Sequence, residues 1–176
     1  MSILGTGINP GFLMDLLPIA LTGICQKVEW IVVERVQDAG ARRVPFQHKI
    51  GAGLDPAEFE ELVSKGLLGH VGLTESMQML AHQLGWELDA TTDNIEPIIA
   101  VSPVRTTDQL IPEGRATGLL QTGRGFRDGR EVIHLLFRAS IDEPRSFDRI
   151  RVEGIPRFDF VVEGGINGDI GTMPSS

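Results

Sequence analysis

The second half of the chain limits the fold most, because several of its short segments alternate apolar and polar residues. Residues 117–126 and 131–141 flank Asp128 and Gly129, the strongest short hairpin signal in the sequence. Alternation of this kind is typical of strands that bury one face. These segments therefore predict a largely antiparallel sheet. Further candidate strands are residues 98–104, 150–152 and 158–162.

The first half of the chain has helical patterns. Asn9 and Pro10 have the form of a helix start, because asparagine caps free backbone amides and proline is tolerated at the first helical position. The apolar residues that follow, up to Ile24, predict a helix that Pro18 bends. Two more helices are expected, one from a capping box at residues 55–58 to Lys65 and Gly66, the other from about Thr74 to Gly85.

Residues 28–38 are predicted to form a strand. Their alternation places Arg35 and Gln37 side by side at one strand end, on the face that also carries Ile31 and Val33. The elements thus run helix, strand, two helices and then several strands. This order predicts an α+β fold, with an open mixed, mostly antiparallel sheet and helices packed on one face.

Length and charge narrow the class of protein. A chain of 176 residues fits a single domain, residues 1–176, with a substantial core. Its formal net charge of −8 argues against binding to nucleic acid, because phosphate contacts need an excess of cations. The sequence has neither a signal-peptide pattern nor an apolar run long enough to span a bilayer, so we expect a cytoplasmic protein without a membrane partner.

Metal and cofactor motifs are missing from the sequence. The single cysteine, Cys25, cannot form an intrachain disulfide or a cysteine-rich zinc site. The histidines and carboxylates lack the spacing that places two metal ligands on one face, so no metal site is expected. Neither a glycine-rich strand–turn–helix motif nor a Walker loop occurs. We therefore expect no cofactor bound to this chain alone.

Four stretches concentrate glycine and polar residues where scaffolding alone would not require them. Each candidate in them has a plain alternative. Asn9 can be a helix cap only, and Arg35 can be a surface charge or the partner of a neighbouring carboxylate. Lys49 can be simply solvated, and His70 can be an ordered loop residue as readily as a ligand-binding one. The stretches are residues 5–12, 34–53, 69–76 and 164–169.

Taken together, the four stretches resemble one family. They contain Gly-Thr-Gly-Ile-Asn-Pro-Gly-Phe, then Arg-Arg-Val-Pro-Phe-Gln-His-Lys-Ile-Gly-Ala-Gly, then Gly-His-Val-Gly-Leu-Thr-Glu-Ser, and finally Gly-Gly-Ile-Asn-Gly-Asp. They resemble the C-terminal domain of 2,4-diaminopentanoate dehydrogenase-like NAD(P)H-dependent amine dehydrogenases, which are related to dihydrodipicolinate reductase. The resemblance runs from Gly5 to about Thr172.

The resemblance implies that the chain is the substrate-binding and dimerising half of an enzyme. In that family a Rossmann domain precedes the first stretch and presents NAD or NADP. The whole enzyme would deaminate an amine or amino acid oxidatively, or run the reverse reductive amination, with this domain positioning the substrate carbon. We expect the isolated chain to be inactive, to require the Rossmann domain as a partner, and to form a homo-oligomer.

Site residues follow from the same resemblance. Arg35 and Gln37 would form a polar pocket wall, which agrees with their shared strand face, and Lys49 falls near the catalytic lysine of dihydrodipicolinate reductases. The glycines beside His70 leave its backbone open to close approach. The nicotinamide end of the cofactor is expected at Gly7, Asn9 and Pro10. Substrate contacts are expected from Asn9, Phe12, Arg35, Gln37, His70 and Asn167.

Two alternatives stay open. A dihydrodipicolinate reductase-type imine reductase ranks lower, because that enzyme clamps a dicarboxylate with hydroxyls after its lysine, whereas residues 50–53 here, Ile-Gly-Ala-Gly, offer none. A non-catalytic ligand-binding or dimerisation module is the other, since this sequence contains no nucleotide-binding half.

Overall fold

A computed structural model describes residues 7–8, 11–106 and 110–166. Within them, the helices are α1 (Leu16–Thr22), α2 (Val44–Lys49), α3 (Pro56–Ser64) and α4 (Leu73–Gln83). The strands are β1 (Lys27–Asp38), β2 (Ala90–Ile99), β3 (Val104–Arg105), β4 (Leu110–Ile111), β5 (Ala116–Arg127), β6 (Arg130–Ser140), β7 (Phe147–Ile155) and β8 (Phe158–Glu163).

Six of these strands form one open sheet in the order β2-β5-β6-β1-β7-β8. β1 and β6 run parallel, and the other neighbouring strands run antiparallel. β3 and β4 form a separate two-stranded ribbon. The predicted open mixed, mostly antiparallel sheet is therefore confirmed.

The hairpin between β5 and β6 is also confirmed. Asp128 and Gly129 at its tip have φ angles of 52° and 70°. Left-handed backbone at both central residues is what a two-residue hairpin turn requires, because it matches the twist of the paired strands. This local turn fixes where the pairing of β5 with β6 begins.

The helices cover one face of the sheet. The predicted capping box starts α3: the Glu58 backbone N–H donates to the Asp55 carboxylate at 2.9 Å, and the Asp55 N–H donates to the Glu58 carboxylate at 3.2 Å. α4 lies against β5 at Gly123, where a Cβ atom would stand 2.9 Å from the Leu73 side chain and 3.2 Å from that of Met77. The missing side chain on β5 thus lets α4 pack closely on the sheet.

Three local predictions were wrong. α1 begins at Leu16, several residues later than predicted, because the buried carboxylate of Asp15 accepts from the Leu16 and Gly11 backbone N–H groups and caps the helix there. Pro18 falls in the first helical turn, where its missing N–H costs no helix-interior hydrogen bond. The strand predicted at residues 98–104 is instead the end of β2 and the start of β3. In addition, α2 is a short helix that the sequence analysis did not predict.

The apolar core consists of cross-strand rows beneath the helices. Ile31 of β1 pairs with Ile133 of β6 and Val152 of β7. Two residues along, a second row pairs Val33 with Leu135 and Ile150. All six side chains are fully buried. These two rows are called the apolar rows below.

Candidate functional site

The next row on the same sheet face is polar. Arg35 of β1 pairs with Phe137 of β6 and Asp148 of β7, and Phe137 pairs with Gln121 of β5. Because side chains two residues apart on a strand share a face, this row lies beside the apolar rows, under the same cover. Arg35, Gln121 and Asp148 are 3%, 1% and 0% exposed. We call Gln121, Phe137, Arg35 and Asp148 the polar row.

A bidentate ion pair stands at the centre of the polar row. Arg35 Nη1 donates to both carboxylate oxygens of Asp148, at 3.0 Å and 2.9 Å. The sequence left open a pairing of Arg35 with a neighbouring carboxylate, Glu34 or Asp38, but Arg35 pairs with Asp148 instead. Burial raises the pKa of Asp148, while Arg35 and a backbone N–H oppose that rise. The pair therefore places two compensating charges inside the fold.

The polar row also holds the fourth glycine-rich stretch. Arg35 Nη2 and Gln37 Nε2 donate to the carbonyl oxygen of Ile166 at 2.8 Å and 3.1 Å. The Ile166 N–H donates to Asp148 Oδ2 at 2.7 Å. One peptide unit at each side of Ile166 is thus fixed by side chains from β1 and β7. Ile166 is therefore held at a fixed point beside Arg35.

The third stretch lies on the other end of the polar row. The His70 N–H donates to Gln121 Oε1 at 2.7 Å, and Gln121 Nε2 donates to the His70 carbonyl at 3.0 Å. Gly69 has a φ of 86°, and a Cβ atom there would stand 2.6 Å from Ile95. The His70 ring meets the Phe137 ring edge-on, with 4.2 Å between ring centroids. The imidazole is therefore held one strand away from Arg35.

The second stretch, residues 34–53, also adjoins the polar row. We call the polar row together with Gln37, Arg42, Lys49, His70 and Ile166 the cluster. The Gly69 N–H donates to the Lys49 carbonyl at 3.3 Å, so the end of α2 adjoins the His70 loop. Arg42 stacks over the Phe46 ring with 4.4 Å to its centroid, and its Nη1 donates to Gln37 Oε1 at 3.3 Å. The Lys49 side chain is exposed.

A buried glutamine supports this loop. Gln47 of α2 is 3% exposed, and its Nε2 donates to backbone carbonyl oxygens at 3.0 Å to 3.3 Å. Because these bonds join α2 to the turn after β1, they fix the loop that carries Arg42. The carbonyls belong to Ala39, Gly40 and Arg42.

The surroundings of His70 favour its uncharged form. Burial, followed by the nearby charges of Lys49, Arg35 and Arg42, lowers the pKa of His70 from 6.5 to about 4. The imidazole is therefore neutral at neutral pH. A neutral imidazole with cations around it offers one nitrogen as a hydrogen-bond acceptor and one as a donor.

The structure brings four predicted site residues together. Arg35 and Gln37 lie at the polar row, and the His70 backbone is bound to it through Gln121. Lys49 adjoins the His70 loop through its carbonyl oxygen, while its side chain is exposed. Phe12 is 36% exposed and precedes α1, and Gly7 is half-buried. The positions of Asn9, Pro10 and Asn167 lie outside the described residues. Contact of each of these residues with substrate or cofactor stays a prediction.

Three residues of the cluster were not predicted: Asp148, Gln121 and Phe137. Asp148 carried a usable signal, because it alternates with Ile150 and Val152 and therefore belongs to the buried face of β7. A carboxylate at a position that alternation buries needs a partner. The identity of that partner depends on strand order, which the local pattern does not contain.

The described residues do not fit a dinucleotide pyrophosphate. β1 leads into α2 through residues 39–43, which contain one glycine instead of a glycine-rich phosphate turn. No three metal-ligating side chains are grouped in the part of the chain that the structure describes. In the same residues, no helix has the length and apolar character needed to cross a membrane.

The chain is similar to known dehydrogenases in sequence and in fold. A family model described as the 2,4-diaminopentanoate dehydrogenase C-terminal domain matches residues 12–176. The chain is 34% identical to a 2,4-diaminopentanoate dehydrogenase of Acetoanaerobium sticklandii, over 98% of this chain and 51% of the relative. It thus spans about half the length of the curated relative that it matches. In fold, it is similar to an amine dehydrogenase from Mycobacterium smegmatis, with a TM-score of 0.80, 16% identity, and coverage of 96% of this chain and 50% of the other.

Proposed function

Because the chain belongs to the family of 2,4-diaminopentanoate dehydrogenase C-terminal domains, we propose that it is the substrate-binding half of an NAD(P)-dependent oxidoreductase. The complete enzyme oxidatively deaminates an amine or amino acid, or aminates the corresponding carbonyl compound reductively. The observation that carries the proposal is the convergence of three separate glycine-rich stretches on the polar row. Scaffolding alone does not require such a cluster.

The two halves divide the work. A nicotinamide cofactor supplies the hydride acceptor when it is bound, and a separate Rossmann domain holds its phosphates. This chain orients the amine: Gln37 and His70 contact the substrate next to Arg35, whose guanidinium Asp148 keeps in place. Such positioning supplies much of the rate, since it replaces an entropically costly encounter with a fixed geometry.

The remaining predicted residues complete the same site. Asn9, Phe12 and Asn167 contact the substrate, Gly7 and Pro10 approach the nicotinamide together with Asn9, and Lys49 is the candidate proton-transfer group. For Phe12, Lys49 and Asn167, support comes from the family model, which matches residues 12–176. For Gly7, Asn9 and Pro10, support comes from the similarity to the curated relative over 98% of this chain and from the packing of Ile8 against the core.

The test uses this chain together with its nucleotide-binding domain. Amine-dependent reduction of NAD⁺ and NADP⁺ is measured with short diamines and amino acids. We expect activity, and we expect Arg35→Ala to lower kcat/KM by at least about tenfold, because a small misplacement of reacting groups has a large effect on rate. Arg157→Ala is the matched control, since Arg157 lies in the turn between β7 and β8 and forms an exposed ion pair with Glu153. Absence of amine-dependent reduction with every substrate would contradict the proposal.

A non-catalytic ligand-binding module is the second candidate. It is favoured by the lack of a phosphate turn among the described residues. The chain by itself should neither reduce NAD(P)⁺ nor enhance NAD(P)H fluorescence. Saturable amine binding by the complete assembly without any reduction would support the module instead of the enzyme.

We also propose a homo-oligomer that forms through the sheet face opposite the helices. Val161 of β8 is 40% exposed on that face, and the Arg149–Asp159 and Arg151–Glu34 ion pairs lie beside it. A second copy would place the same mixture of apolar and charged groups opposite itself, as two-fold symmetry requires. Sedimentation that shows a monomer at micromolar concentration would exclude this assembly.

A further inference from the structure

His70 lies beside the polar row, where it contacts Gln121 and Phe137. Its proposed contact with the substrate leaves open which protonation state of the amine it binds. Amines with ordinary pKa values near about 10 are almost entirely ammonium ions at neutral pH. After burial, the charges of Lys49 of α2, Arg35 of β1 and Arg42 of the loop between them lower the pKa of the imidazole. The Lys49 backbone adjoins the His70 loop, because its carbonyl accepts from the Gly69 N–H at 3.3 Å. The carboxylate beside Arg35, Asp148, is already bound by that guanidinium and by the Ile166 N–H.

We propose that His70 binds the substrate nitrogen, with an imidazole nitrogen accepting a hydrogen bond from the uncharged amine, while the charge of Lys49, at the end of α2 next to the His70 loop, disfavours the ammonium form. The inference rests on the proposed function. It narrows the proposed contact of His70 with the substrate to the substrate nitrogen and to one protonation state of that nitrogen.

The geometry leaves the imidazole nitrogens for this task. Gln121 takes up both backbone groups of His70, and the Phe137 ring supports the imidazole from one side. Among residues 7–8, 11–106 and 110–166, no side chain or backbone group hydrogen-bonds the ring nitrogens. The ring is partly exposed, so a small molecule can approach it. A histidine serving only as packing would not need a backbone held by two hydrogen bonds with its ring left unbonded.

The charge pattern selects the reactive form of the substrate. An amine carbon can release hydride only if the nitrogen lone pair is free to form the C=N bond, and an ammonium ion has no free lone pair. Like charges at short range disfavour the cation, whereas a neutral amine enters without that penalty. Burial and the same cations keep the pKa of His70 at about 4, so the imidazole remains an acceptor across the working range of the enzyme.

Two substitutions separate binding of the amine from packing. His70→Leu keeps an apolar contact with Phe137 but removes the hydrogen-bond acceptor. His70→Asn packs less well against Phe137 but keeps an acceptor oxygen. In the assembly with the nucleotide-binding domain, we expect His70→Leu to raise the KM for the amine at least about tenfold, the loss of one well-placed hydrogen bond to a ligand. His70→Asn should recover part of that loss. His82→Asn, an exposed histidine of α4, is the matched control.

A packing role predicts the reverse order. If His70→Leu retained the wild-type KM while His70→Asn lost activity and thermal stability together, the inference would be overturned. Thermal unfolding of each variant accompanies the kinetics. If the wild-type assembly reduced NAD(P)⁺ with no amine at all, the proposed function itself would fail, which is a different outcome from equal KM values in an active enzyme.

A binding measurement tests the cations without relying on turnover. The probes are choline and its uncharged carbon analogue, in which a tert-butyl group replaces the trimethylammonium group. The assembly should bind the uncharged analogue more tightly, and Lys49→Met should narrow the difference by a factor of about three or more, as expected for the loss of one partly screened charge. Lys65→Met removes an exposed lysine at the end of α3 and should leave the ratio unchanged. Tighter binding of choline to the wild type would refute the exclusion of ammonium.

Discussion

The apolar rows and the polar row lie on one face of one sheet, a single pleat apart. Val33 and Arg35 are neighbours on that face of β1, yet the first meets Leu135 and the second meets a carboxylate. Both regions are equally buried. The apolar rows are stabilised by removal of hydrocarbon from water, whereas the polar row is stable only because each buried group finds a partner. Burial therefore does not distinguish core from site; the demand for specific partners does.

The largest expected effect comes from breaking the ion pair of the polar row. Asp148→Asn leaves the Arg35 guanidinium buried without a compensating charge, which costs about 3–5 kcal/mol of unfolding free energy. Ile133→Ala in the apolar rows should cost a similar amount, about 2–5 kcal/mol, by leaving a cavity. Urea unfolding gives both values, with Asp159→Asn in the exposed pair as control.

The two variants differ in what else changes. Asp148→Asn should also alter the pKa of His70 measured by NMR, because the charge facing Arg35 is gone, whereas Ile133→Ala should leave it unchanged. A small, equal loss of stability for Asp148→Asn and Asp159→Asn would show that the buried pair is not the centre of the row.

Acid should lower the unfolding free energy by protonating His70, which lies beside the polar row. The pKa of His70 is lowered to about 4 in the folded state, so between that value and 6.5 the unfolded chain binds a proton that the folded chain does not. The contribution of neutral His70 to the unfolding free energy is therefore fully present at neutral pH. It is lost as the pH falls from 6.5 to about 4, and the whole loss is about 3 kcal/mol. Wild-type chain and His70→Leu should be unfolded in urea at several pH values. Parallel losses in the two proteins would contradict this prediction.

The smallest expected effect concerns the backbone that carries His70. Gly69→Ala meets two penalties: a left-handed φ of 86° and a Cβ atom 2.6 Å from Ile95. Gly66→Ala has a φ of 67° with nothing within 4 Å, so it isolates the first penalty. We expect about 1 kcal/mol for Gly66→Ala and about 1–2 kcal/mol more for Gly69→Ala. Only Gly69→Ala should change the KM for the amine, and equal effects of both substitutions on stability and KM would remove the case for close packing at Gly69.

Much of the fold could be predicted because its signals are local. The hairpin at Asp128 and Gly129, the capping box at Asp55 and the strand that carries Arg35 depend on a few consecutive residues. The start of α1 could not be predicted correctly, since its cap, Asp15, accepts a hydrogen bond from Ser76 of α4 at 2.8 Å. This contact between two helices depends on their packing and is not visible in the local pattern.

The sequence by itself determined that Arg35 and Gln37 share a strand face and that no phosphate turn accompanies them, because both follow from neighbouring residues. Only the tertiary structure decided that Asp148, 113 residues away from Arg35, is its partner. It also decided that the side chains of Arg35 and Gln37 both bind the carbonyl oxygen of Ile166. The physical reason is register. Which side chains oppose one another across a sheet depends on strand order and alignment, which are fixed by packing of the whole chain.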